Sequence, residues 1–181
     1  MTSTLSPAPA TGRAAPLDAK VASVAVAVLF AVNGMLIGGN GGALPSLREK
    51  LQIDDSHIAV ILFCGGVAGI LSMQVGGRLA DAVGARAVAL CGLPVLIAAA
   101  VTIALAPSFG FAVLGLVLLG LGNGAMDVGM NALGVQVEAA RGRPVMSTFH
   151  AWFSIGGFVG AGAVLLWPRC SVSRAATSSP R

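Results

Sequence analysis

The chain has 181 residues, of which 56% are apolar and only 10% charged, whereas a soluble domain carries about a quarter charged residues. That balance, with 25 glycines, excludes a water-facing globular domain and points to helices bathed in lipid, where glycine is more frequent than in soluble helices. The formal charge of +4 does not suggest nucleic acid, because the basic residues sit singly in short connections with no cluster and few aromatics to stack on bases.

In chain order, residues 1–20 are polar and rich in Pro, Ala, Ser and Thr, and read as a disordered cytoplasmic tail. A helix needs roughly 20 mostly apolar residues to cross about 30 Å of hydrocarbon, and five segments within 21–167 meet that requirement. The first spans 21–44 and is expected to stop at Pro45. The second spans 57–79, the third 87–106, the fourth 109–136, and the fifth 145–167, again ending before a proline. The first is too long for the apolar core of a signal peptide and is followed by further spans, so it is expected to be retained. Residues 168–181 turn abruptly to Ser, Arg, Thr and Pro and read as a disordered tail. Cys64, Cys91 and Cys170 form no CxxC pair, which leaves no disulfide framework and no zinc site.

Lys and Arg placement sets the expected orientation. With the N-terminus in the cytoplasm, Arg13, Lys20, Arg78, Arg86, Arg141 and Arg143 fall inside, and only Arg48 and Lys50 fall outside. The last tail breaks this pattern, since five crossings put Arg169, Arg174 and Arg181 outside. An odd helix count, a misplaced basic tail and a sudden change of composition together suggest a chain truncated after the fifth span, with a frameshifted end. The other reading is a genuine five-helix protein with a short tail.

Two pairs of segments echo each other. Phe30-Ala31-Val32-Asn33-Gly34 and Gly39-Asn40-Gly41 in the first span resemble Phe111-Ala112-Val113-Leu114-Gly115 and Gly122-Asn123-Gly124 in the fourth. Gly65-Gly66-Val67-Ala68-Gly69 in the second resembles Gly156-Gly157-Phe158-Val159-Gly160 in the fifth. Copies separated by three spans run in opposite directions through the membrane, as in the 3+3 inverted repeats of transporters.

The connection between the second and third spans reads Gly77-Arg78-Leu79-Ala80-Asp81-Ala82-Val83-Gly84-Ala85-Arg86. It resembles the signature loop of the major facilitator superfamily, Gly-x-Leu-Ala-Asp-Arg-x-Gly-Arg-Lys. Ala82 and Ala85 replace the usual arginines, and Arg86 takes the final basic position. The resemblance covers about 21–167. It implies an all-α membrane protein in which the five helices are part of the N-terminal six-helix bundle of a twelve-helix fold. It also implies secondary transport of a small solute by alternating access, with Gly77, Arg78, Asp81, Gly84 and Arg86 as the cytoplasmic gating loop and the C-terminal half as the missing partner. The run Asp127-Val128-Gly129-Met130-Asn131, with Glu138, Gly142-Arg143-Pro144, Met146-Ser147 and His150 after it, is similar to a bacterial branch of sugar-proton symporters that includes the fucose group. The resemblance therefore implies the bacterial inner membrane and a sugar-like solute. Two departures stand against parts of this picture. Leu118 occupies the place where many proton-coupled members carry an arginine, and the Gly-Pro motif of drug-proton antiporters is absent from the fifth span, which disfavours drug export.

Polar groups inside the spans are the candidate site. An ionisable side chain at a helix centre costs about 2.5–3.5 kcal/mol to insert, and Asp127 lies well inside the fourth span. Asn123, Asp127 and Asn131 are spaced i, i+4, i+8 and share one face, which must meet protein or a wet cavity. Asn33 lies mid-way along the first span. Asn33 and Asn123 either line a solute cavity or serve as hydrogen-bonding glue between helices. His150, at a depth similar to Asp127, could pass a proton with it, or simply be an interfacial polar group. Glu138 and Arg141 are expected to face the interface. No nucleotide-binding loop, cofactor site or metal site is expected. An enzyme would have to rest on Asp127 and His150 alone, and a non-transporting membrane fragment remains the main alternative to the transporter.

Overall fold

A computed structural model describes residues 19–177, with side-chain surroundings for 19–166. Among these residues there are five helices and no strand: α1 (Ala19–Leu51), α2 (Asp55–Val83), α3 (Ala85–Leu105), α4 (Phe109–Arg141) and α5 (Met146–Thr177). Each is long and apolar enough to cross a membrane. Much of the outer surface is Val, Leu, Ile and Phe, including Phe63 and Phe158 at 73% and 82% exposure. In water such a surface would drive aggregation, but against lipid tails it costs nothing.

Two expected helix ends are not where the prolines suggested. α1 continues through Pro45 to Leu51, and the α5 backbone continues through Pro168 to Thr177. Membrane helices tolerate proline because neighbouring groups and local adjustments satisfy the freed carbonyl. Of the expected tails at 1–20 and 168–181, residues 1–18 and 178–181 lie outside the described residues, and the backbone of 19–20 and 168–177 is helical.

The bundle is built around α4, which lies between α2 and α3, while α1 packs along α5 and crosses to α4. The contacts that hold these pairs are backbone to backbone. A Cβ on Gly34 or Gly38 of α1 would run into the backbone at Phe153 or Gly157 of α5, and one on Gly42 would press tightly on Ala161. On the other side of the bundle, Gly65 of α2 abuts the Leu116 carbonyl, and Gly120 and Gly124 of α4 abut those of Gly65 and Gly69. α3 and α4 mesh through Gly92 and through Gly115, Gly122 and Gly129, which fall one heptad apart on one face of α4. Small residues let helices approach closely where no hydrophobic effect pushes them together.

These contacts show the inverted repeat directly. Gly156 of α5 sits over the Ala31 carbonyl of α1 as Gly65 of α2 sits over Leu116 of α4. Gly160 sits on Met35 as Gly69 sits beside Gly120. The α2/α5 correspondence is the one legible in the sequence. The α1/α4 correspondence is shifted: Gly39 faces the Gly160 carbonyl as Gly124, not Gly122, faces that of Gly69. Asn123 is therefore not the repeat partner of Asn40.

The helix ends are tied at both rims of the bundle. At one rim Arg48 pairs with Asp55 at 3.0 Å, and Lys50 donates to the Ala104 carbonyl at the end of α3 at 3.2 Å. The two cations expected on the outer side are thus each committed to a helix end. Asp54 caps α2 by accepting from the His57 backbone N–H at 3.0 Å, and this bond holds its carboxyl below the ordinary carboxylate range. At the opposite rim Arg141 donates to Ser23 Oγ at 2.7 Å, joining α4 to α1.

Candidate functional site

The loop that the resemblance casts as a gate is a one-residue turn between α2 and α3. Gly84 has φ 93° and ψ 143°, a region that side chains with a Cβ avoid, and its N–H donates to the Ala80 carbonyl at 3.0 Å. Nothing lies within 4 Å of where a Cβ would stand, either there or at Gly77. Gly84 is thus required by its backbone, while Gly77 is required by neither backbone nor packing within this chain. Arg78, Asp81 and Arg86 are exposed, and none of the three makes a hydrogen bond or ion pair among the described residues.

The polar stripe of α4 faces the meeting of α1, α4 and α5. Asn33 is fully buried. Its Nδ2 donates to Asn123 Oδ1 at 3.2 Å and lies 3.8 Å from Met130 Sδ, while its own Oδ1 has no partner. In this arrangement Asn33 is a clasp between α1 and α4, closed to any solute. Asn123, Asp127 and Asn131 are half-buried. Asn131 Nδ2 donates to the Asp127 backbone carbonyl at 2.8 Å and to its Oδ1 at 3.2 Å, which orients the carboxylate. Next to them, His150 is exposed on α5, within electrostatic reach of Asp127. Its ring lies 5.2 Å from that of Phe30, which in turn stacks on Phe149 at 5.6 Å. The structure thus brings four of the five candidate residues to an accessible or half-accessible face and withdraws the fifth, Asn33, into the helix contact.

Two ties escaped the sequence reading. Glu138 does not face the interface idly: its Oε2 accepts the backbone N–H groups of Val145 at 2.7 Å and Met146 at 2.9 Å, and so caps α5 from the preceding helix. The chain reverses at Gly142, which has φ 62° and ψ 21°. The Arg141–Ser23 bond is the second tie, and no local pattern marks it. Glu138 did carry a signal, an acid just upstream of a Gly-x-Pro turn that starts the next helix. A concavity of about 680 Å³ lies elsewhere, lined by Leu44, Arg48, Glu49, Gln52 and Asp54 among others at the α1–α2 connection. None of its lining residues belongs to the polar face. Among the described residues no three His, Cys, Asp or Glu side chains gather as a metal site.

The profile of the Major Facilitator Superfamily matches residues 26–168. The chain belongs to that superfamily. It is 36% identical over 137 residues to an uncharacterized transporter of Sinorhizobium fredii, covering 75% of this chain and 36% of that protein. It is 34% identical over 146 residues to an uncharacterized superfamily transporter of Yersinia pestis, covering 80% and 38%. The membrane protein MosC of Rhizobium meliloti is 27% identical over 141 residues, covering 78% and 35%. The chain therefore spans little more than a third of the length of these curated relatives. No solved structure matches it. As a member of the superfamily, the chain is a multi-pass membrane protein whose five helices are a partial bundle of that fold.

Proposed function

We propose that this chain supplies the first bundle of a secondary transporter that moves a small, hydroxyl-rich, sugar-like solute together with a proton across the bacterial inner membrane, with its N-terminus in the cytoplasm. The observation that carries this reading is the half-buried face of Asn123, Asp127 and Asn131 on a helix that is otherwise packed in small and apolar residues. Such a face is expensive in hydrocarbon and is kept where it meets solute or ions. The amides offer donors and acceptors to hydroxyl groups, the carboxylate loads and releases a proton, and His150 stands beside it. Asn33 joins the site only when α1 and α4 part, so its clasp belongs to the closed arrangement. The exposed Arg78, Asp81 and Arg86, turned by Gly84, are the cytoplasmic gate and take their partners from a second bundle.

Alternating access requires two bundles about one site, and the described residues build one. The test is uptake in proteoliposomes over a panel of hexoses, pentoses, polyols and lipophilic cations under an inward proton gradient. The chain is assayed alone and together with the C-terminal bundle of the Sinorhizobium fredii relative. Saturable, competable uptake of a hydroxylated solute only in the presence of the second bundle is expected. Uptake of lipophilic cations alone would overturn the sugar-like assignment, and competable uptake by the chain alone would overturn the one-bundle reading.

A further inference from the structure

The first turn of α5 carries a chain of hydrogen bonds that runs from α4 to His150. Glu138 Oε2 accepts from the backbone N–H of Met146. The carbonyl of the same Met146 lies 3.2 Å from His150 Nδ1. A carbonyl oxygen only accepts, so the hydrogen of that contact must sit on Nδ1. In a neutral ring the other nitrogen, Nε2, is then the acceptor. The backbone is held as well, since Ser154 Oγ donates to the His150 carbonyl at 3.1 Å, and Phe30 of α1 covers the ring at 5.2 Å.

We propose that His150 is a proton-accepting group of the polar face that takes its proton at Nε2, with Nδ1–H fixed on the Met146 carbonyl, and that Glu138 is the positioning residue which holds that turn. This assignment rests on the proton-linked reading of the same face, but concerns a tautomer and an atom rather than transport. The charges around His150 agree with it. From α4, the titratable group within electrostatic reach is Asp127. From α1, the group packed against it is the Phe30 ring, which carries no charge. On α5 itself, Met146, Phe149 and Ser154 are neutral. A proton arriving at Nε2 finds Nδ1–H already placed on its acceptor, so no ring rotation is needed. Glu138 acts only through the backbone: its carboxylate satisfies two of the N–H groups that a helix start leaves unpaired and suits the positive end of the α5 dipole.

The 181-residue chain has two histidines, so the test needs no transport assay. The chain is labelled with ¹³C,¹⁵N-histidine in lipid nanodiscs and observed by NMR, with His57→Gln used to assign the signals. At alkaline pH, His150 should be the Nδ1–H tautomer, the form that free imidazole side chains disfavour. On acidification Nε2 should gain the proton while Nδ1 keeps its own. A dominant Nε2–H tautomer, or a proton arriving at Nδ1, would overturn the assignment. Glu138→Gln should shift the tautomer ratio about two- to fivefold toward Nε2–H, the loss expected for a hydrogen bond of ordinary net strength, with helix content by circular dichroism unchanged. An unchanged ratio would remove Glu138 from the positioning role. The wild-type measurement stands even where that variant fails to fold. If the tautomer is as expected and His150→Gln leaves proton-driven uptake intact, the transport reading of the face fails while the tautomer assignment holds.

Discussion

Glycines that look alike in the sequence carry different loads. Gly84 sits at φ 93° with open space where a Cβ would stand, so Gly84→Ala pays only backbone strain, about 1–3 kcal/mol for such a region. Gly77 of the same loop is helical and equally open, so Gly77→Ala should be neutral or slightly stabilising, since alanine is the better helix former. Denaturation of the two variants in mixed micelles measures the difference, and equal losses would mean that the loop is held by something other than the Gly84 turn. A similar weighing applies to Asn33. An interhelical hydrogen bond in a membrane protein contributes on average about 0.6 kcal/mol, while a buried unpaired carbonyl costs about 1–3 kcal/mol. On the proposed reading, Asn33 is kept for a second arrangement of α1 and α4. The sequence did place Asn33 at mid-helix, but not on which side of α1 its amide would lie. Period and spacing say which residues share a face, and only packing says what that face meets.

At the scale of helices, the five spans were legible because lipid imposes a length and a composition that no soluble context demands. The ends were less so. Pro45 reads as a stop in water, where its missing N–H leaves a carbonyl exposed to competition, but α1 runs on for six residues to Leu51. The repeat was visible in α2 and α5 because Gly65/Gly69 and Gly156/Gly160 share one spacing. It was misaligned in α1 and α4, where Gly-Asn-Gly matched Gly-Asn-Gly although the contacts pair Gly39 with Gly124. The seven-residue spacing of Gly115, Gly122 and Gly129 was present in the sequence and marks the face of α4 that meets α3. These contacts make a contrast available. Gly156→Val drives a branched side chain into the Ala31 carbonyl and should destabilise the bundle by about 1–3 kcal/mol or more, as overpacking does. At Gly66 an added Cβ meets no atom within 4 Å, and Gly66→Ala should fall within about 0.5 kcal/mol of the parent, as surface changes do. Equal stability of the two variants would contradict the α1–α5 packing.

For the molecule as a whole, the basic residues define a sidedness that the fold makes coherent. The ends at Arg48, Lys50, Asp55 and Ala104 gather at one rim, and those at Ser23, Arg141 and Val145 at the other. With the latter rim cytoplasmic, a single cysteine placed at residue 52 should be modified by an impermeant reagent from outside and one at residue 83 spared. The reverse pattern would invert the orientation and move the gating loop to the outer face. On the proposed reading, function at this scale rests on one carboxylate. Asp127 is half-buried, tethered by Asn131 and within electrostatic reach of His150, and Asp127→Asn keeps its size and hydrogen bonding while removing its titration. The most direct measurement is proton-driven accumulation against downhill exchange of the same solute, in proteoliposomes containing this chain with a complementary C-terminal bundle. Asp127→Asn is expected to abolish accumulation and leave exchange measurable. A variant that accumulates solute as well as the parent does would reduce Asp127 to a structural hydrogen-bonding residue and contradict proton coupling at this face.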